Sequence, residues 1–130
     1  MKKLEHIGIA VLDLEAAERI FSDVLGELPY KREEVDSESV LTSFFQAGDS
    51  KIELLQSTSA DGPIARHILK RGEGLHHIAF QVDDLDAEIT ELEAKGYRCI
   101  AGPKDGADGK RIAFLHPSDT SKVLVELCAG

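Results

Sequence analysis

The stretch HIGIAVLDLEA, beginning at His6, returns as HIAFQVDDLDA, beginning at His77, 71 residues further on. No other feature of the chain limits its fold as much. A second match follows in the same order: IEL around Glu53 against VEL around Glu126, at a spacing of 73. Two ordered matches at nearly one spacing mark an internal duplication. A half of about 60 residues buries little surface by itself. The 130 residues are therefore read as a single domain of two modules, approximately 1–58 and 74–130, joined by a helical linker at 59–73.

Each half reads β-α-β-β-β. In the first, residues 4–12 form a strand and Asp13 caps a helix. Leu14, Ala17, Ile20, Phe21 and Leu25 recur at helical spacing, and Gly26 closes the helix. Extended segments follow at 30–35, 40–47 and 51–56, the last two joined by the tight turn AGDSK. Pro63 opens the linking helix, with Ile64, His67 and Ile68 in register. The second half repeats the plan. A strand at 75–82 precedes an Asp84-capped helix carrying Leu85, Ile89, Leu92 and Ala94, which stops at Gly96. Residues 97–100 are extended, GPKDGADGK reads as a glycine-rich loop, and 112–116 and 123–127 pair through PSDTSK.

Four polar side chains fall at repeat-equivalent points inside apolar strands: His6 and Glu53, then His77 and Glu126. A carboxylate buried unpaired in such a setting is costly, and two are worse. A divalent cation that collects two neutral imidazoles and two carboxylates cancels the charge. His76 has no counterpart, since Glu5 stands there, and strand neighbours point to opposite faces. It is read as a packing or hydrogen-bonding residue rather than a ligand.

The formal net charge of −9 offers no basic stripe for nucleic acid, while leaving room for an anionic small ligand. Cys99 and Cys128 fit no metal spacing. Counting leaves a disulfide open, and an unstapled cytosolic domain is the simpler reading. The N-terminus lacks a signal-peptide pattern and no run approaches a membrane span, so a cytoplasmic location with no membrane partner is expected.

These residues carry a family resemblance. HIGIAV with DLEAA, KIELLQ, GLHHIAFQVDDLDAEI, and IAFLHP with VLVEL together resemble the vicinal oxygen chelate (glyoxalase/bleomycin resistance) superfamily over nearly the whole chain. GPKDGADGKRIAFLHP and SADGPIARHILKRGEGLHHIAF are most similar to its methylmalonyl-CoA epimerase branch. The resemblance implies an α+β fold in which paired βαβββ modules form a curled mixed sheet around a metal cleft. It implies metal ligands at His6, Glu53, His77 and Glu126, an acyl-CoA substrate and a homodimer. In some epimerases of the branch a second catalytic Glu stands where this chain has Thr42. A threonine cannot act as a base at neutral pH, so its hydroxyl is read as at most a water-positioning group. Glu38, four residues upstream, is the nearby carboxylate.

The reaction so implied removes a proton from a carbon between two carbonyls and returns one from the opposite side. Glu126 is the expected proton-moving base. Four protein ligands with two positions left for substrate oxygens give six-coordination, better suited to cobalt, manganese or nickel than a closed tetrahedral zinc site is. The choice among cobalt, manganese, nickel and zinc stays open, and imidazoles make magnesium uncomfortable. Lys104, Gly106, Gly109, Lys110 and Arg111 around the glycine-rich loop are candidate substrate contacts, as are Lys70 and Arg71 after the linking helix. The four ligands alone do not separate an epimerase from a lactoylglutathione lyase-like isomerase, or from a non-catalytic binding module of the same fold.

Overall fold

A computed structural model describes residues 2–130. The fold is α+β, two tandem βαβββ modules with flanking helices. The chain falls into two compact units: one is His6–His76, and the other is His77–Gly130 together with residues 2–5.

In the first unit β1 (Lys3–Ala10) leads into α1 (Leu14–Leu25), then β2 (Lys31–Val35), β3 (Val40–Ala47), β4 (Ser50–Ser57) and α2 (Pro63–Arg71). Asp13 accepts a hydrogen bond from Ala16 N at 3.1 Å, and Gly26 takes the left-handed conformation that ends α1. The strand order is β2-β3-β4-β1, with β1 parallel to β4 and the other neighbours antiparallel. Period-two alternation sorts the side chains. One face carries Leu54 and Phe45 against Leu14 and Ala17 of α1. The opposite face carries Ala10, Val40 and Leu55 beneath Ile64 of α2.

The second unit contains most of β5 (Gly74–Gln81), α3 (Leu85–Ala94), β6 (Cys99–Asp105), β7 (Arg111–Leu115) and β8 (Val125–Ala129). Its strand order is β5-β8-β7-β6, with β5 parallel to β8 and the others antiparallel. Asp84 caps α3 as expected, accepting from Ala87 N at 3.1 Å. Leu85 and Ile89 pack on Ala113, Leu115 and Leu127.

Two expectations are corrected here. The first half of GPKDGADGK is strand rather than loop: β6 continues to Asp105, with Lys104 opposite Ile112. Two of its glycines, Gly102 and Gly106, serve close approach. A Cβ on Gly102 would lie 2.4 Å from the Ile112 carbonyl oxygen, and one on Gly106 would lie 2.7 Å from the Ile112 side chain. The last strand begins two residues later than expected, at Val125. Ser121 and Lys122 lengthen the turn before it by taking left-handed conformations, with φ of 58° and 69°. Among the described residues no helix is long and apolar enough to cross a membrane.

Candidate metal and substrate site

Each unit buries one histidine–glutamate pair. In the first, β1 and β4 run parallel with Gly8 opposite Glu53, so His6 and Glu53 share a face two residues apart. His6 Nδ1 lies 3.1 Å from Glu53 Oε2, with 6% and 5% of the two side chains exposed. In the second, β5 and β8 run parallel with Ala79 opposite Glu126. His77 Nε2 lies 3.3 Å from Glu126 Oε1, again with 6% of each side chain exposed. The duplication seen in sequence is thus repeated as geometry. Each pair offers an imidazole nitrogen and a carboxylate oxygen, out of bulk water. Neutral imidazole nitrogen with carboxylate oxygen is a donor set that suits a divalent ion.

Register adds residues that the strand pattern alone did not reveal. Phe44 on β3 stands opposite Glu53, and Phe114 on β7 stands opposite Glu126. Each ring lies beneath a cation. Lys31 Nζ sits 4.7 Å and Lys51 Nζ 5.9 Å from the Phe44 centroid, and Lys104 Nζ sits 5.9 Å from the Phe114 centroid. The Phe114 ring also meets His77 edge-on at 5.9 Å. Each buried glutamate therefore has an aromatic wall and a lysine beside it. Counting back across the AGDSK turn from Glu53 leads to Phe44, so the signal was present in the hairpin.

The predicted loop cations separate by strand phase. Lys104, opposite Ile112, lies on the same sheet face as Phe114 and Glu126. Arg111 alternates to the other face, where its guanidinium is 3.7 Å from Asp86 of α3. Lys110 donates to the Gly130 carbonyl at 3.0 Å. Gly109 takes a φ of 68°, and Gly106 lies against Ile112. Lys70 and Arg71 form the last turn of α2.

Thr42 is wholly buried, and its Oγ1 has no hydrogen-bond partner among the described residues. Leaving a buried hydroxyl unsatisfied costs about 1–3 kcal/mol. Glu38 ends the 3-10 turn Asp36–Glu38 between β2 and β3. His76 points away from His77 and packs edge-on against His67, with ring centroids 4.8 Å apart. Burial, then the neighbouring His67, pushes its pKa down to about 4, so it is neutral at physiological pH.

The chain matches the Glyoxalase/Bleomycin resistance protein/Dioxygenase superfamily over residues 5–114. It is 42% identical over 129 residues to the uncharacterised protein YqjC of Bacillus subtilis, covering 98% of this chain and 92% of that one. It is 40% identical over 129 residues to an ethylmalonyl-CoA/methylmalonyl-CoA epimerase of Cereibacter sphaeroides, covering 96% of each. The crystal structure of methylmalonyl-CoA epimerase from Mycobacterium tuberculosis superposes with a TM-score of 0.91 at 32% identity, over 97% of this chain and 86% of that one.

Proposed function

Since the chain belongs to the glyoxalase/bleomycin resistance/dioxygenase superfamily, with relatives named as methylmalonyl-CoA epimerases along almost its entire length, we propose that it is a metal-dependent epimerase of methylmalonyl-CoA. The observation that carries this reading is the buried histidine–glutamate pair present in each unit.

His6, Glu53, His77 and Glu126 would hold one divalent ion per chain. Cobalt, manganese, nickel or zinc meets the donor set. When bound, the ion supplies Lewis-acid stabilisation of the negative charge that develops on the substrate's carbonyl oxygens, worth several kcal/mol. Glu126 removes the α-proton through a carboxylate oxygen and can return it. The Phe44 and Phe114 rings exclude water from the glutamates opposite them. Lys104, above Phe114, supplies positive charge toward the acyl-CoA. The chain is read as a cytoplasmic homodimer. Free Cys99 and Cys128 suit a reducing compartment, and dimers are the habit of the superfamily.

The test is incubation of metal-loaded protein with a single epimer of methylmalonyl-CoA in deuterated water, following deuterium at the α-carbon and epimer composition together. The expected result is deuterium uptake with a mixture of epimers. Methylglyoxal with glutathione is run in parallel. Turnover in that assay alone would overturn the proposal in favour of a glutathione-dependent isomerase.

A further inference from the structure

The His6–His76 unit buries a lysine that takes no part in the chemistry above. Strand β4 alternates: Ile52 and Leu54 turn toward α1, while Lys51, Glu53 and Leu55 turn to the other face. On that face Lys51 stands in register with His6 of β1 and Gln46 of β3, and the next row is Gly8, Glu53 and Phe44. Beyond it, Ala10 and Leu55 lie beneath Ile64 of α2. The face therefore passes from an apolar end under α2, through Glu53, to a polar end at His6 and Lys51.

Lys51 is only 7% exposed. Lysine is seldom buried so far, because taking an ammonium out of water is costly. Its Nζ lies 5.9 Å from the Phe44 centroid, at the outer edge of the range in which a ring face attracts a cation. Lys31 reaches the same ring from β2 but in another setting: its side chain is 36% exposed, and its Nζ is 3.6 Å from Glu33 Oε1. Gln46, beside Lys51, turns its amide back to the Gly48 and Ser50 carbonyls at 2.7 and 3.1 Å. Lys51 is thus the cation that the fold shelters on the row of His6, next to the row of Glu53. An ammonium has three N–H donors, so it can hold a neighbour in the fold and an incoming anion together.

Building on the epimerase reading, we propose that Lys51 is a specificity residue that recognises a free carboxylate on the acyl group of the thioester. A malonyl-type acyl-CoA brings its carboxylate to a face that already carries Glu53, and like charges at close range oppose binding. The sheltered ammonium beside Glu53 offsets that repulsion and gives the carboxylate a charge-assisted partner. It also discriminates. An acyl group without the carboxylate displaces water from the ammonium and returns no contact, which is how a polar site rejects an analogue lacking its partner. Lys51 moves no proton; it decides which acyl group is held.

The test compares metal-loaded wild type with Lys51→Met, Lys51→Gln and Lys51→Arg. Calorimetry measures the binding of malonyl-CoA, which carries the carboxylate, and of propionyl-CoA, which lacks it. Metal content, folding and epimerisation of methylmalonyl-CoA are recorded for every protein. Wild type is expected to bind malonyl-CoA the more tightly. Lys51→Met and Lys51→Gln should weaken malonyl-CoA binding by about 10-fold to 100-fold and leave propionyl-CoA within about threefold, with normal metal content. Lys51→Arg should keep the preference, because it keeps the charge. Equal loss for both thioesters would show a merely structural lysine. Either that result, metal loss in both neutral variants, or an undiminished preference for malonyl-CoA in a folded neutral variant would overturn the proposal. A wild type that prefers malonyl-CoA through Lys51 yet epimerises nothing would remove the epimerase reading and leave the carboxylate subsite standing. A wild type that epimerises, alongside a neutral variant that keeps the preference, would remove the subsite alone.

Discussion

His76 and His77 are adjacent, yet the strand turns them to different work. His77 lies 3.3 Å from Glu126, whereas His76 lies against His67 on the other face. Replacing His77 with alanine should remove most of the bound divalent ion, measured by elemental analysis of protein purified without chelator. His76→Ala should keep about one ion per chain and lose packing alone. Equal metal loss in both variants would mean that the ligand face has been assigned backwards. Glu126→Gln keeps the shape of the side chain but removes its basicity and its charge. Turnover of both epimers should fall by at least about 10², partly through weaker metal binding.

At the scale of elements, helix α1 is tied to the sheet by a polar cluster rather than by apolar contact alone. Glu18 accepts hydrogen bonds from Arg32 on β2 and from the Ser43 hydroxyl on β3, the latter at 2.6 Å. The Arg32 guanidinium holds the Glu18 carboxyl below the usual carboxylate range. Its effect, helped by Ser43, outweighs the opposite push of partial burial. As pH falls the unfolded chain takes up this proton first. The cluster's stabilisation is therefore present above the ordinary carboxylate pKa and is lost as pH falls through the lower folded value. Glu18→Gln should lower stability at neutral pH by about 1–2 kcal/mol and flatten the acid limb below about pH 5, read from urea unfolding across pH. The turn before β8 offers the opposite case. Lys122 occupies a left-handed conformation with φ of 69°, where a side chain is disfavoured. Lys122→Gly should raise stability by about 0.5–1 kcal/mol, since the backbone strain relieved exceeds the entropy that glycine adds to the unfolded chain.

For the molecule as a whole, duplication has a testable consequence. Each unit supplies one histidine–glutamate pair. Separately expressed 1–58 and 74–130 fragments should show no cooperative melting and no stoichiometric metal uptake, because pieces of this size bury only about 60% of the surface their unfolded chains expose and are marginal on their own. Cooperative melting of either fragment would show that a module is an independent domain.

Much of this protein could be read before any coordinates. The repeat of HIGIAVLDLEA as HIAFQVDDLDA determined two modules of one plan, Asp13 and Asp84 marked where helices begin, and four repeat-equivalent His and Glu residues named a metal-binding chemistry. Such features are local or periodic, and chain spacing records them directly. Tertiary structure decided what depends on pairing and packing. Gly102 and Gly106 of GPKDGADGK look like loop formers until each is seen pressed against Ile112. Lys104 and Arg111 look alike until strand phase puts one on the face of Glu126 and the other beside Asp86. Thr42 reads as a water-positioning hydroxyl until burial leaves its Oγ1 without a hydrogen-bond partner among the described residues. Register is set by turns and bulges several residues away, and burial belongs to no residue until its neighbours are in place.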